Sequence, residues 1–162
     1  MIEFIKAKDT DLRFIVEVYN QNIASKSVTA DLSPVTVAQR QDWFAARDAQ
    51  HPIWIIQVDK HKAGWLSLTP FYRRAAYHAT VEISVYIDRD WQHHGLGTRA
   101  LQFVTEQVKK LEIHTILAYI FTNNLPSLAL FKAAGYQVYG HLPRVADMGE
   151  QVLDVDILGK QF

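Results

Sequence analysis

The stretch "VEISVYIDRDWQHHGLGTRALQF", Val81 to Phe103, decides the fold. It opens as an alternating run. Val81, Ile83, Val85 and Ile87 share one side of an extended chain, and Glu82, Ser84 and Tyr86 share the other. It closes as a helix, with Leu101, Val104, Val108 and Leu111 at helical spacing. Between the two lies Gln92-His93-His94-Gly95-Leu96-Gly97-Thr98. The first N–H groups of a helix have no intrahelical acceptor, and the helix dipole adds partial positive charge there. Glycine lets a backbone approach a bound group without a Cβ in the way. The loop is therefore predicted to cradle a phosphate, with donors from His93 to Thr98 and charge from Arg99 nearby. The same glycines also read as a plain tight turn. The spacing is neither that of a P-loop nor that of a dinucleotide fingerprint, so both are excluded.

Working outward, Ile2 to Ala7 alternates and reads as a strand. A helix capped by Asp9 or Thr10 follows to about Ala24, with Leu12, Ile15, Val16 and Tyr19 on one face. Ser25 to Pro34 is a loop. A second helix starts after Thr36, which with Gln39 is spaced as a capping box. Within it, Trp43 and Phe44 read as core rather than as pocket walls. Two apolar strands joined near Lys60 and His61 form a hairpin, and Arg73 to Ala79 connects it to the opening stretch. Beyond that stretch, Thr115 to Phe121 is a fully apolar, central strand. "NNLPSLALFKAAGY" is a helix with Asn124 as its cap, Pro126 in its first turn and Gly135 as its stop. "YQVYGHL" and "VLDVDILGKQF" are closing strands. Three consecutive strands in the middle make this an α/β (α+β) mixed sheet, not a regular doubly wound one.

The chain has 162 residues, read as one domain over 1–162. Its 17 basic and 17 acidic residues balance, which argues against a general nucleic-acid binder. It has no cysteine, so disulfides, thiolate nucleophiles and Cys-ligated metals are excluded. The histidines of the loop lack a third ligand at useful spacing, so no metal site is read. The N-terminus is not a signal peptide and no apolar run reaches transmembrane length, so a cytoplasmic protein with no membrane partner is expected.

"VEISVYIDRDWQHHGLG" resembles motif A of the GCN5-related N-acetyltransferases (GNAT), and "NNLPSLALFKAAGY" resembles their motif B. The element order is similar to that family's over nearly the whole chain. Within the family, "SVTADLSPVTVAQRQDWFAAR" and "RRAAYHATVEISVYI" look like the substrate loop and catalytic strand of the phosphinothricin and methionine sulfoximine N-acetyltransferases.

The resemblance implies a GNAT fold, a mostly antiparallel twisted sheet of about seven strands flanked by about four helices. It implies acetyl-CoA as co-substrate, with its pyrophosphate at Gln92, His93, His94, Gly95, Leu96, Gly97 and Thr98. The fourth and fifth strands would splay, often helped by a bulge. The pantetheine arm would then pair with the open edge at Val85, Tyr86 and Ile87. Asn124 and Ser127 would contact that arm, although Asn124 reads equally as a helix cap.

Attack by an amine requires loss of an ammonium proton. Glu82, a carboxylate in an apolar strand about 10 Å along the chain from Val85 at roughly 3.3 Å per residue, is the candidate base. Its rival role is a solvent-facing carboxylate or a partner of Arg73 or Arg74. The motif B tyrosine is Phe131 here, so either the thiolate leaves with only a backbone N–H near Tyr86 or Ile87 to stabilise it, or Tyr86, Tyr136 or Tyr139 substitutes as proton donor. Arg73, Arg74 and Tyr77 resemble residues near the substrate's acidic group, and a guanidinium suits a carboxylate or phosphinate; two surface arginines are the rival reading.

The expected reaction is direct transfer, in a ternary complex, to the amine of a small amino-acid-like substrate. The alternatives are a protein N-terminus, a lysine or a polyamine as acceptor, or a catalytically weak acyl-CoA-binding module. The C-terminal "VGxKxGxW" segment of the herbicide-detoxifying members is absent, which puts phosphinothricin itself in doubt. A homodimer is possible, with "VLDVDILGKQF" supplying an intersubunit strand.

Overall fold

The computed structural model describes all residues, 1–162. Its strands are β1 (Ile2–Lys6), β2 (Ile53–Val58), β3 (His61–Pro70), β4 (Thr80–Ile87), β5 (Thr115–Phe121), β6 (Gln137–Asp147) and β7 (Val152–Gln161). Its α-helices are α1 (Leu12–Asn20), α2 (Val37–Ala45), α3 (Leu96–Gln107) and α4 (Leu125–Ala133). The strands form one sheet in the order β1-β2-β3-β4-β5-β7-β6. Every neighbouring pair is antiparallel except β4 and β5. The expected mixed, mostly antiparallel sheet of seven strands with four helices is what the chain adopts.

Period-two alternation distributes the core over both faces of this sheet. On one face Trp54, Ile56, Leu66, Leu68, Val81 and Ile83 pack against Ala100, Leu101 and Val104 of α3 and Leu128 and Phe131 of α4. On the other, Ile53, Ile55 and Trp65 pack against Leu12, Ile15 and Val16 of α1 and Phe44 of α2. Sequence-adjacent strand residues thus belong to different cores, and the catalytic-strand candidates Glu82, Ser84 and Tyr86 project towards the α1/α2 side.

Several boundaries differ from the sequence expectation. A 3-10 turn at Asp9–Asp11 precedes α1, which stops at Asn20 rather than near Ala24. Asn20 then turns its side chain to both backbone groups of Val35, pinning the far end of the following loop. The β2–β3 turn is centred on Asp59 and Lys60, both in the left-handed region, and His61 already belongs to β3. β6 runs on to Asp147, well past the expected Leu142, because bulges absorb Tyr139 and the Pro143–Val145 stretch without ending the ladder with β7. The expectation that residues 152–162 supply an intersubunit strand is overturned. β7 is hydrogen-bonded to β5 on one side and β6 on the other, so it has no free edge.

The expected cap of the first helix is corrected: Asp9 and Thr10 lie inside the 3-10 turn, Asp11 stands at the start of α1, and no side chain caps that helix. The other caps behave as the sequence suggests. Thr36 accepts from the Gln39 N–H while the Gln39 side chain accepts from the Thr36 N–H. Asn124 accepts from the Ser127 N–H at 3.3 Å, and Gly135 takes a left-handed φ of 88° after α4.

Candidate active site

β4 and β5 are paired only from Thr80 to Glu82 against Thr115 to Leu117. Beyond that point β5 stays with β7, while β4 stays with β3. The two strands therefore diverge, and from Ile83 to Ile87 one side of the β4 backbone has no strand partner. No bulge causes this, since the β3–β4 register is unbroken from Gly64↔Ile87 to Pro70↔Val81. The splay comes from β5 following β7. It opens a cleft of about 470 Å³, walled by Glu82 to Tyr86, by Tyr119 and its neighbours on β5, and by Asn124, Ser127 and Phe131.

A second cavity, of about 220 Å³, lies on the α1/α2 side of the sheet. Tyr19, Arg40, Trp43 and Trp65 form its outer wall, and Ser67 and Thr69 of β3 part of its floor. Glu82, Ser84 and Tyr86 line both cavities. They do so because they are the α1/α2-facing residues of the strand whose other edge is open.

Glu82 is partly buried, and burial pushes its carboxyl above the usual carboxylate range. No hydrogen bond or ion pair within the protein holds its carboxylate, so the reading that pairs it with Arg73 or Arg74 is not met. Burial also raises the Tyr86 phenol, with the Tyr19 and Glu82 charges adding to the effect and Thr29 and Arg40 opposing it. Tyr86 is stacked on Trp65 at 4.7 Å and meets Tyr19 edge-on at 5.2 Å. Of the three candidate proton donors, Tyr86 is the one that lines the cleft. Tyr136 is buried edge-on against Phe131, and Tyr139 lies over Gly159 on the β6–β7 pair.

The glycine loop sits at the end of β4. Asp88 accepts from the Asp90 N–H at 2.9 Å and opens a 3-10 turn, Arg89–Trp91. Gln21, just past α1, donates to Asp88 and accepts from the Arg89 N–H, both at 3.0 Å, and so fixes where the loop starts. His93 and Gly95 both adopt left-handed backbone, at φ 63° and 73°. Such turns leave successive N–H groups unpaired before the helix. Gln92, His93, His94 and Gly95 are exposed, Leu96 is buried beneath them, and Gly97 and Thr98 continue into the first turn of α3. The space around Gly95 is open, so its requirement is conformational. Gly97 is different: a Cβ there would stand 2.8 Å from the Leu130 side chain, so it is glycine because α3 and α4 cross closely.

The structure does not bring every candidate together. Arg73 lines a third cavity, beside Arg47 and His51, which shares Trp43 and Thr69 with the second. Arg74 and Tyr77 are exposed, with Tyr77 edge-on to Phe71 at 5.7 Å. Trp43 corrects the sequence reading. Phe44 is core, but Trp43 is a wall of two cavities. Sequence reasoning did not single out Trp65 or Tyr119, read Tyr19 only as part of a helix face, and reached Arg40 only within the stretch likened to a substrate loop. The one available signal was the crowding of aromatic residues on the inward faces of α1, α2 and β3.

The model of the acetyltransferase (GNAT) family matches residues 15–136. YwnH of Bacillus subtilis (strain 168), provisionally named a phosphinothricin acetyltransferase, is 37% identical over 157 residues, which is 96% of each chain. The L-methionine sulfoximine/L-methionine sulfone acetyltransferase of Pseudomonas paraeruginosa is 29% identical over 150 residues, 91% of this chain and 87% of that one. A crystal structure provisionally described as a phosphinothricin N-acetyltransferase superposes with a TM-score of 0.96 at 36% identity, covering 99% of this chain and 98% of the other. A match over most of the chain, with the motif loop, the splayed strands and the second-motif helix all inside it, places this protein in the acetyltransferase (GNAT) family.

Proposed function

We propose that the protein transfers the acetyl group of acetyl-CoA to the amine of a small amino-acid-like acceptor, with both substrates bound at once. One observation carries the reading: Glu82, Ser84 and Tyr86 are walls of two cavities, one on the α1/α2 face of β4 and one at its open edge. A donor in one cavity and an acceptor in the other would meet at Glu82.

In this reading the β4–β5 cleft takes the pantetheine arm, against the open backbone at Val85, Tyr86 and Ile87 and beside Asn124 and Ser127. The Gln92–Thr98 loop takes the pyrophosphate. Acetyl-CoA supplies an activated acyl group as its thioester. Glu82 accepts the proton that the acceptor's ammonium must lose, directly or through one water. Its raised pKa brings it closer to the pH at which a base works best. Tyr86 keeps its proton, since burial raises its phenol, and would steady the departing thiolate by donating a hydrogen bond to it, the part that Phe131 cannot play. Arg73, with Arg74 and Tyr77 behind it, faces the acceptor's acidic end; what supports this is the wall that its cavity shares with the acceptor cavity.

The names of the relatives support the acceptor class, since one acts on L-methionine sulfoximine and L-methionine sulfone and another is an L-amino acid N-acyltransferase. The test is thiol release from acetyl-CoA over an amine panel: methionine sulfoximine, methionine sulfone, a peptide with a free N-terminus, a lysine peptide and spermidine. The small amino acids should turn over. Turnover of spermidine or a peptide alone would overturn the acceptor class, and tight CoA binding with no turnover of any amine would favour a binding module. Should the protein be dimeric, the contact would run through β6, whose outer edge is unpaired and whose Val138 and Val145 are exposed.

A further inference from the structure

The acceptor cavity contains one cation and one anion. Among its lining residues only Arg40 and Glu82 are charged. No ion pair joins them: Glu82 has no partner within the protein, and Arg40 is paired through one nitrogen with Asp31, which does not line the cavity. Arg40 reaches the cavity from the first turns of α2. Its guanidinium lies over the Tyr19 ring, 4.6 Å from the centroid, and 5.9 Å from the centroid of Trp43. One nitrogen, Nη2, donates to Asp31 at 2.8 Å. Asp31 also accepts from the Tyr19 hydroxyl, which fixes the pair against α1. A guanidinium carries five N–H donors in a planar fork, so most of this one remains free while its plane is held by the aromatic rings.

We propose that Arg40 reads the carboxylate of the acceptor, so that the substrate is a free amino acid held as a zwitterion, its ammonium at Glu82 and its carboxylate at Arg40. This rests on the acceptor-cavity reading above and names the residue that selects within it. A preordered planar fork gives bidentate recognition at small entropic cost. The aromatic wall between the two charges takes the side chain. The volume of about 220 Å³ is below the roughly 300–1,000 Å³ usual for drug-sized ligands, which suits one amino acid. A polyamine is disfavoured on the same ground that an amino acid is favoured, because its second cation would meet Arg40.

The arrangement separates two arginine roles. Arg40 shares a cavity with Glu82, whereas Arg73 is a cavity further out, beyond Trp43 and Thr69. On this proposal an α-carboxylate goes to Arg40, and Arg73 is left for an acidic or polar group at the end of the side chain.

The experiment compares L-methionine sulfone with its carboxamide, which keeps the amine and loses the carboxylate charge. Binding to the CoA-loaded protein is followed by calorimetry, and turnover by thiol release. The wild-type protein should favour the free acid by at least tenfold in both readouts. Arg40→Met should erase that preference by weakening the acid alone, with the acetyl-CoA KM within twofold of wild type. An unchanged preference in Arg40→Met, or its loss in Arg73→Met instead, would overturn the proposal. Binding that follows this pattern without any turnover would leave Arg40 as the carboxylate reader while refuting the transferase reading, so the two fail separately.

Discussion

Glu82 pays for its position. A buried carboxylate with no protein partner is costly to ionise, and the raised pKa is the measure of that cost. The sign for stability follows. Between the ordinary carboxylate value and the raised folded one, the folded state binds more protons than the unfolded state, so stability falls as pH rises through that window and stays lower above it. Glu82→Gln should therefore raise the melting temperature at pH 7 and leave it nearly unchanged at pH 4, as scanning calorimetry at both pH values would show. A lower melting temperature at pH 7 would mean that Glu82 is held by contacts that stabilise its charge. Tyr86→Phe should reduce kcat by about ten- to a hundredfold, at or below the low end of the roughly 10²–10⁴-fold of a single acid–base group. Tyr119→Phe, on the opposite wall of the cleft, should change kcat less than threefold. Equal losses in the two variants would move the donor role away from Tyr86. The sequence made Glu82 and Tyr86 legible because alternation puts them on one side of β4. It hid Arg40, because a lone arginine on a short helix looks like solvated surface. Only the fold brings Tyr19, Trp43 and Trp65 around it, from α1, α2 and β3.

At the scale of elements, two short helices do different jobs. α2 presents Arg40 and Trp43 to the acceptor cavity, and its start is held by the Thr36–Gln39 capping box. Thr36→Ala should cost about 1 kcal/mol of stability. It should also raise the acceptor KM more than the acetyl-CoA KM, which a steady-state matrix of both substrates would separate. On the proposed reading α3 and α4 belong to the donor side, and Gly97 of α3 meets the Leu130 side chain of α4. Gly97→Leu should push α3 away from α4 and raise the acetyl-CoA KM severalfold, with wild-type acceptor KM in the residual activity. Unchanged acetyl-CoA affinity would count against the phosphate-loop role. The sequence pointed to this loop for a ligand reason, close approach of a phosphate. The structure adds a packing reason at Gly97 that no single-chain pattern displays. Its account of β6 fell short for a related cause. The alternating run reads only to Leu142, yet bulges carry the ladder past Pro143, and Gly149 lies in the turn before β7.

For the molecule as a whole, the decisive feature is that β5 leaves β4 after Glu82 to remain with β7. This leaves a strand with one open edge and one inward face, and both cavities meet along it. The succession of strands along the chain was legible from alternation and spacing, but the place of β7 between β5 and β6 was not. The point of divergence was not, because it depends on which of two neighbours β5 follows. Simultaneous occupancy of both cavities requires a ternary complex, so initial-velocity plots with both substrates varied should intersect. Parallel lines would point to an acyl-enzyme and contradict direct transfer. The most direct test of the central claim is the turnover of Glu82→Gln at neutral pH, measured beside its affinity for acetyl-CoA. Turnover should fall by about a hundredfold or more, as loss of a general base requires, while acetyl-CoA binds as tightly as to the wild type. Wild-type turnover in Glu82→Gln would contradict the account.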